Sequence, residues 1–162
     1  MPAGKIGESE TFTTAEALKQ IDPLAAKRHV MLENQIADSL VVPGDAVGLR
    51  ELMVILLDNA IKYGGEGTTV RLILRRSGRN AVVSIEDEGP GVKPEDLPHI
   101  FDRFYRADSA RHHSGAGGYG LGLSIAKAIT QLHLGSIEAH NLPQRGAAFT
   151  VRIPLDPSGF WR

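Results

Sequence analysis

The sequence predicts a two-layer α/β sandwich, a mixed β-sheet covered on one face by helices, and three observations carry that expectation. Strand-like segments fall in pairs at hairpin spacing. Three or more helical segments with apolar residues at helical intervals are interleaved with them. The 162 residues, 42% hydrophobic and 23% charged, suit one globular domain with a sizeable core. With no internal repeat or low-complexity tract, residues 1–162 read as a single domain whose first ten residues are expected to be flexible.

Each element has its own signal. "TTAEALKQIDPLAAKR" opens with Thr13 or Thr14 as N-cap and reads as a helix that Pro23 could kink or divide. "HVMLENQI" and "SLVVPG" read as two short strands joined at a polar turn. The strongest helix runs through "GDAVGLRELMVILLDNAIKYGGEG", entered at Asp45 and stopped at Gly64-Gly65. "TTVRLILRR" and "NAVVSIEDEG" form a hairpin about Ser77-Gly78, and a short helix is expected from Pro94 in "KPEDLPHIFDRF". A further strong helix, "GLGLSIAKAITQLH", precedes two closing strands, "SIEAHN" and "AAFTVRIPL".

Composition removes several function classes. A net charge of −1 supplies no positive field for a nucleic-acid backbone, so no nucleic-acid partner is expected. Without cysteine there is no disulfide framework, thiolate zinc site or cysteine nucleophile, and the six histidines show no metal-ligand spacing. The longest apolar run, "LMVILL", is far short of the roughly 20 residues that span a bilayer, and no signal peptide is read.

Three stretches carry chemistry. At about 100° per residue, Asn59 shares a helix face with Leu52, Ile55, Leu56 and Tyr63, with Lys62 on its flank. An amide buried there without partners costs about 1 to 3 kcal/mol, so it is either a satisfied core group or bonded to a ligand or metal. "EDEGPGV" follows a strand and puts Asp87 at its end, where a carboxylate can accept from the N6 amine of adenine but repels the O6 of guanine. Gly89 and Gly91 would let backbone approach something flat, although an acidic turn with two glycines reads as well on its own. Finally, "GAGGYGLG", five glycines in eight residues, runs into a helix. It fails as a dinucleotide fingerprint because charged residues rather than a strand precede it, and no Gly-Lys-Ser/Thr follows to make a Walker loop. What remains is a long loop from Arg103 to Tyr119, with Arg103, Arg106 and Arg111, ending at a helix N-terminus that favours an anion: a mobile lid over phosphate.

In this order the stretches resemble the catalytic ATP-binding domain of bacterial two-component sensor histidine kinases, of the GHKL or Bergerat type. "LLDNAIKY" is similar to the N box, "DEGPGV" to the first glycine box, "IFDRFYRAD" to the F box and "GGYGLGLSIAKAI" to the second glycine box; the likeness covers nearly the whole chain. The resemblance implies a Bergerat fold, ATP and Mg²⁺ as cofactors, and these roles. Asn59 is the Mg²⁺ ligand, Lys62 approaches the phosphates, Tyr63 packs on adenine, and Asp87 takes the N6 proton in a pocket shaped by Gly89 and Gly91. Phe101 and Phe104 anchor the base of the lid, and Arg106 leans on the γ-phosphate. Gly118, Tyr119, Gly120, Leu121, Gly122 and Leu123 surround the phosphates. Asn59, Lys62 and Arg106 form the catalytic set.

The departures are Ile55, where the family often has a second polar ligand, Ala147 and Ala148 in place of threonines, and Leu134 in place of a glycine, read as a tolerated loop change. No acceptor hairpin with its histidine is found; His29, His99 and His133 lie in other contexts. The resemblance therefore implies a catalytic domain excised from a larger, inner-membrane-anchored kinase. This domain would be cytoplasmic and monomeric, without direct membrane contact. Its partners would be the parent's histidine-acceptor dimerisation domain and, downstream, a response regulator. Two alternatives stand beside this: a nucleotide-binding module without kinase activity, and an anti-sigma-type serine kinase, against which the F box argues.

Overall fold

The computed structural model describes residues 14–36, 42, 44–105 and 122–155. Among these residues three helices and five strands follow in the order α1 (Thr14–Lys27), β1 (Met31–Ile36), α2 (Ala46–Gly64), β2 (Thr69–Ser77), β3 (Asn80–Glu86), α3 (Gly122–Leu132), β4 (Ser136–Asn141) and β5 (Ala147–Pro154). The strands form one sheet in the order β1-β2-β3-β5-β4, with β1 and β2 parallel and every other pair antiparallel. A parallel pair needs a crossover long enough to return the chain to the same edge, and α2 supplies it. This makes α2 the central helix, lying between α1 and α3 against the sheet.

The helix-covered face takes alternate residues of each strand: Val70, Leu72 and Leu74 from β2, Val83 and Ile85 from β3, Phe149, Val151 and Ile153 from β5. Against them α2 lays Leu52, Met53, Leu56, Leu57, Ala60 and Ile61, all at most 3% exposed, and α1 adds Ala17, Ile21 and Ala25. Each fully buried Leu or Ile contributes about 1.5 to 3 kcal/mol, so the fold rests chiefly on this one helix. The opposite sheet face is mixed, with Val82 and Ala148 buried among polar residues. Arg71 pairs with Glu33 at 3.2 Å and Glu86 at 3.5 Å, and the hydroxyls of Ser84 and Thr150 are 2.7 Å apart.

Helix ends follow the sequence signals in part. Asp45 caps α2, its side chain accepting from the Val47 amide at 3.1 Å, and Gly65 ends the helix with φ 100°. The Asp45 amide in turn donates to Nε2 of His133 at 3.0 Å while His133 Nδ1 bonds the Ile129 carbonyl at 2.8 Å, joining the start of α2 to the end of α3. Both α1 and α3 end in a left-handed residue that is not glycine. For α3, Leu134 (φ 61°) donates to Gln131 and Gly135 donates to Thr130, each at 3.0 Å, which is the Schellman pattern. His29 (φ 55°) closes α1 in the same way, with Val30 donating to Ala25 at 2.8 Å. Leu134 is thus a helix-terminating residue under backbone strain, not a neutral loop replacement, because a Cβ is disfavoured at that φ.

α1 runs unbroken through Pro23, which lies on its exposed face, so the lost hydrogen bond falls on the side turned to solvent. No regular helix starts at Pro94. The segment from there to Phe104 is a chain of tight turns, among them His99 to Asp96 and Asp102 to His99, both 2.9 Å. Pro98 has no N–H to continue a helix begun at Pro94. Of the strand expected in "SLVVPG", only Val42 and Gly44 are described and neither is in a strand.

Candidate nucleotide site

The site is built along α2. Ile55, Asn59 and Tyr63, four residues apart, form a half-buried line over about 12 Å of helix, at 1.5 Å rise per residue. Leu52 and Leu56, expected on the same face as Asn59, point into the core instead. The helix is apolar on more than half its circumference, so helical periodicity alone did not separate its core edge from its open edge. Asn59 is therefore not a core amide, and its side chain makes no hydrogen bond among the described residues. Lys62 on the flank pairs with Asp58, Nζ to Oδ2 3.0 Å. Asp58, one turn earlier, was not singled out from the sequence, although its i,i+4 spacing to Lys62 is the signal that finds it.

At the C-terminal end of α2, Gly64 abuts the turn after β3. A Cβ on Gly64 would stand 3.1 Å from Asp87 Cβ, and one on Gly89 would stand 2.3 Å from the Tyr63 carbonyl oxygen. A Cβ on Gly91 (φ 81°) would lie 2.7 Å from the Asn141 side-chain oxygen. The two glycines expected to open the turn to a flat ligand thus admit this chain's own α2 and Asn141. Asp87 is 5% exposed. Its Oδ1 accepts from the amides of Gly89 at 2.8 Å and Ala147 at 3.3 Å, while Oδ2 has no hydrogen bond among the described residues. Burial raises the Asp87 pKa above its ordinary value, opposed by the Gly89 and Ala147 amides.

At the other end of the line, Ile55 Cγ2 lies 3.6 Å from where a Cβ on Gly122 would be, so Ile55 packs beneath the first residue of α3. Leu123 is half-buried against the core. Two features far apart in sequence, the Asp87 turn and the start of α3, therefore meet the same helix on either side of Asn59. Phe101 packs edge-on against Phe149 of β5, ring centroids 6.1 Å apart. Phe104 does not join it. That ring is 62% exposed, with φ 67° and the Arg103 guanidinium 5.2 Å from its centroid. Tyr105 donates its hydroxyl to buried Asp96, a contact the sequence reading did not anticipate. Arg106, Gly118, Tyr119, Gly120 and Leu121 lie outside the described residues, as does the expected lid beyond Tyr105. Ala147 reaches Asp87 through its backbone amide, so lack of a hydroxyl there does not remove that bond.

A mixed five-stranded sheet covered on one face by helices is the Bergerat fold, shared with solved histidine kinase catalytic domains. Residues 44–157 match the family described as histidine kinase-, DNA gyrase B- and HSP90-like ATPase, and the chain belongs to it. It is 41% identical over 150 residues to the sensor histidine kinase YkoH of Bacillus subtilis, covering 93% of this chain and 32% of that protein. To the histidine-protein kinase AfsQ2 of Streptomyces coelicolor it is 45% identical over 110 residues, 68% of this chain and 20% of the other. The chain therefore spans a third or less of these relatives. The nucleotide-free catalytic domain of the histidine kinase ThkA superposes with a TM-score of 0.78 at 25% identity, covering 89% of this chain and 91% of that one. This is an ATP-binding domain of the histidine kinase group.

Proposed function

We propose that the domain binds Mg-ATP and transfers the γ-phosphoryl group to a histidine on a separate helical hairpin of a longer sensor kinase, for relay to a response regulator. The observation that carries this reading is the line along α2. Asp87, one of whose oxygens is uncommitted among the described residues, stands at one end and the start of α3 at the other, with the Asn59 amide, likewise without a partner among the described residues, between them.

Asp87 Oδ2 accepts from the adenine N6 amine while Oδ1 stays fixed to Gly89 and Ala147. Tyr63 lies against the base, and Lys62 exchanges part of its attraction to Asp58 for the phosphates. Among the described residues no group of three His, Asp or Glu side chains could hold a metal by itself. Asn59 is the residue that would hold Mg²⁺, since its neutral side-chain oxygen is the kind of ligand a hard cation prefers. Gly118, Gly120, Leu121 and Gly122 offer backbone N–H groups to the phosphates, and Arg106 offsets charge on the transferring group. Bound Mg²⁺ supplies charge neutralisation between the phosphates.

The test mixes this domain with Mg-ATP and a separately produced histidine hairpin. Acid-labile phosphohistidine is the expected product; acid-stable phosphoserine refutes the histidine assignment. A second reading, a nucleotide-binding module without transfer, is favoured by apolar Ile55 beside Asn59 and by the pairing of Lys62 with Asp58. Mg-ATP binding without either phosphorylated product would establish it. The proposed setting is the cytoplasm. No helix among the described residues is long and apolar enough to cross a membrane.

A further inference from the structure

The turn that carries Asp87 is tied at both ends to the β4–β5 hairpin, and between them Glu88 Oε1 also accepts from the Thr69 amide of β2 at 2.5 Å. At its start, the Asp87 amide donates to the Ala147 carbonyl at 3.0 Å and the Ala147 amide donates to Asp87 Oδ1 at 3.3 Å. Next, Arg145 Nε donates to the Glu88 carbonyl at 2.7 Å. At its finish, the Asn141 side chain engages both backbone groups of Val92: the Val92 amide donates to Oδ1 and Nδ2 donates to the Val92 carbonyl, each 2.7 Å. Asn141 is the last residue of β4, Ala147 the first of β5, and the Leu142 amide closes the hairpin on the Gly146 carbonyl at 2.9 Å.

We infer that Asn141 is a positioning residue for base recognition: its side chain replaces a strand's backbone and pins Val92, so that the Asp87–Val92 turn holds Asp87 Oδ2 in one orientation. The inference rests on the assignment of Asp87 to the adenine amine. A primary amide can do this because it carries one acceptor and one donor side by side, the same pair that a neighbouring peptide would present. Gly91 belongs to the device, since any Cβ there would collide with the Asn141 oxygen. Between its two ends Gly89 packs against the close of α2, at the Tyr63 carbonyl and Gly64, and its amide also fixes Asp87 Oδ1. Releasing Val92 lets Gly91 and Gly89 drift, and the carboxylate loses the shorter of the two amide bonds that set its angle. Asn141 is exposed, so its removal leaves the core intact.

The test titrates the wild type and Asn141→Ala with ADP and with inosine diphosphate, whose base has a carbonyl oxygen where adenine has its amine. The variant should bind ADP about tenfold more weakly, the scale of having to order on binding a turn that the free protein no longer holds in place. Inosine diphosphate affinity should change less, so the preference for ADP narrows. The urea midpoint should stay near that of the wild type while exchange of the Val92 amide quickens. Asn141→Asp, which keeps the acceptor but sets a carboxylate oxygen against the Val92 carbonyl, should narrow the preference likewise. Equal losses for the two nucleotides, or unchanged ADP affinity with Val92 released, overturns the inference. A wild type that binds ADP without preference over inosine diphosphate refutes the Asp87 assignment, and this inference with it. A wild type with the preference and variants that keep it refute the positioning role alone.

Discussion

Replacing Asp87 by Asn separates recognition from stability at one position. Asp87 Oδ1 is held by two backbone amides, so an Asn that keeps its oxygen there must put its NH₂ where Oδ2 stands. That group is a donor facing the adenine N6 donor. Loss of a hydrogen bond to a charged acceptor costs about 1.5 to 3 kcal/mol, roughly 10- to 150-fold in affinity for ADP. Flipping the amide does not rescue binding, because it sets NH₂ against the Gly89 and Ala147 amides.

Stability moves the other way. Burial raises the Asp87 pKa, so the folded protein holds the proton more tightly than the unfolded chain does. Its stabilising contribution is complete below the unfolded value of 3.8 and is lost as pH rises through the higher folded value. At neutral pH the ionised, desolvated carboxylate is therefore a net cost, and Asp87→Asn should unfold in urea no earlier than the wild type. As pH falls through the raised pKa, the stability difference between the two proteins should shift toward the wild type, while wild-type ADP affinity weakens. Calorimetric titration with ADP and GTP, alongside urea melts across pH, measures all of these. An Asp87→Asn protein that binds ADP as the wild type does would refute the assignment; one that loses affinity only in proportion to lost stability would make Asp87 a structural carboxylate.

Three further outcomes follow from particular contacts. Asn59→Ala, at a half-buried position without a partner among the described residues, should change stability by no more than about 0.5 kcal/mol while removing the Mg²⁺ dependence of ATP binding. ATP titrations with and without Mg²⁺ check this, and retained dependence places the metal elsewhere. Gly89→Ala drives a Cβ to 2.3 Å from the Tyr63 carbonyl oxygen, so it should cost about 2 to 3 kcal/mol in chemical unfolding and weaken ADP binding as well. Leu134→Gly relieves the left-handed residue at the end of α3 and, with the side chain 41% exposed, should raise stability by about 0.5 to 1 kcal/mol; a lower thermal midpoint would mean that the lost packing outweighs the strain.

Local chemistry determined most of the elements. Asp45 and Gly65 bound α2 because capping and left-handed termination are properties of single residues, and strand alternation in β2 records which face is buried. The order of the boxes identified the family for the same reason, since each box is contiguous in sequence. Only the tertiary structure decided which edge of α2 is core. With apolar residues on most sides of that helix, the choice between Leu56 and Asn59 depends on where the sheet and α3 lie. It also decided what the glycines of the Asp87 turn are for: Gly89 and Gly91 meet α2 and Asn141, partners remote in sequence that no local pattern names. The links Asn141 to Val92 and His133 to Asp45 have the same origin. A polar side chain's partner is set by the packing of distant segments, whereas its propensity is set by its neighbours along the chain.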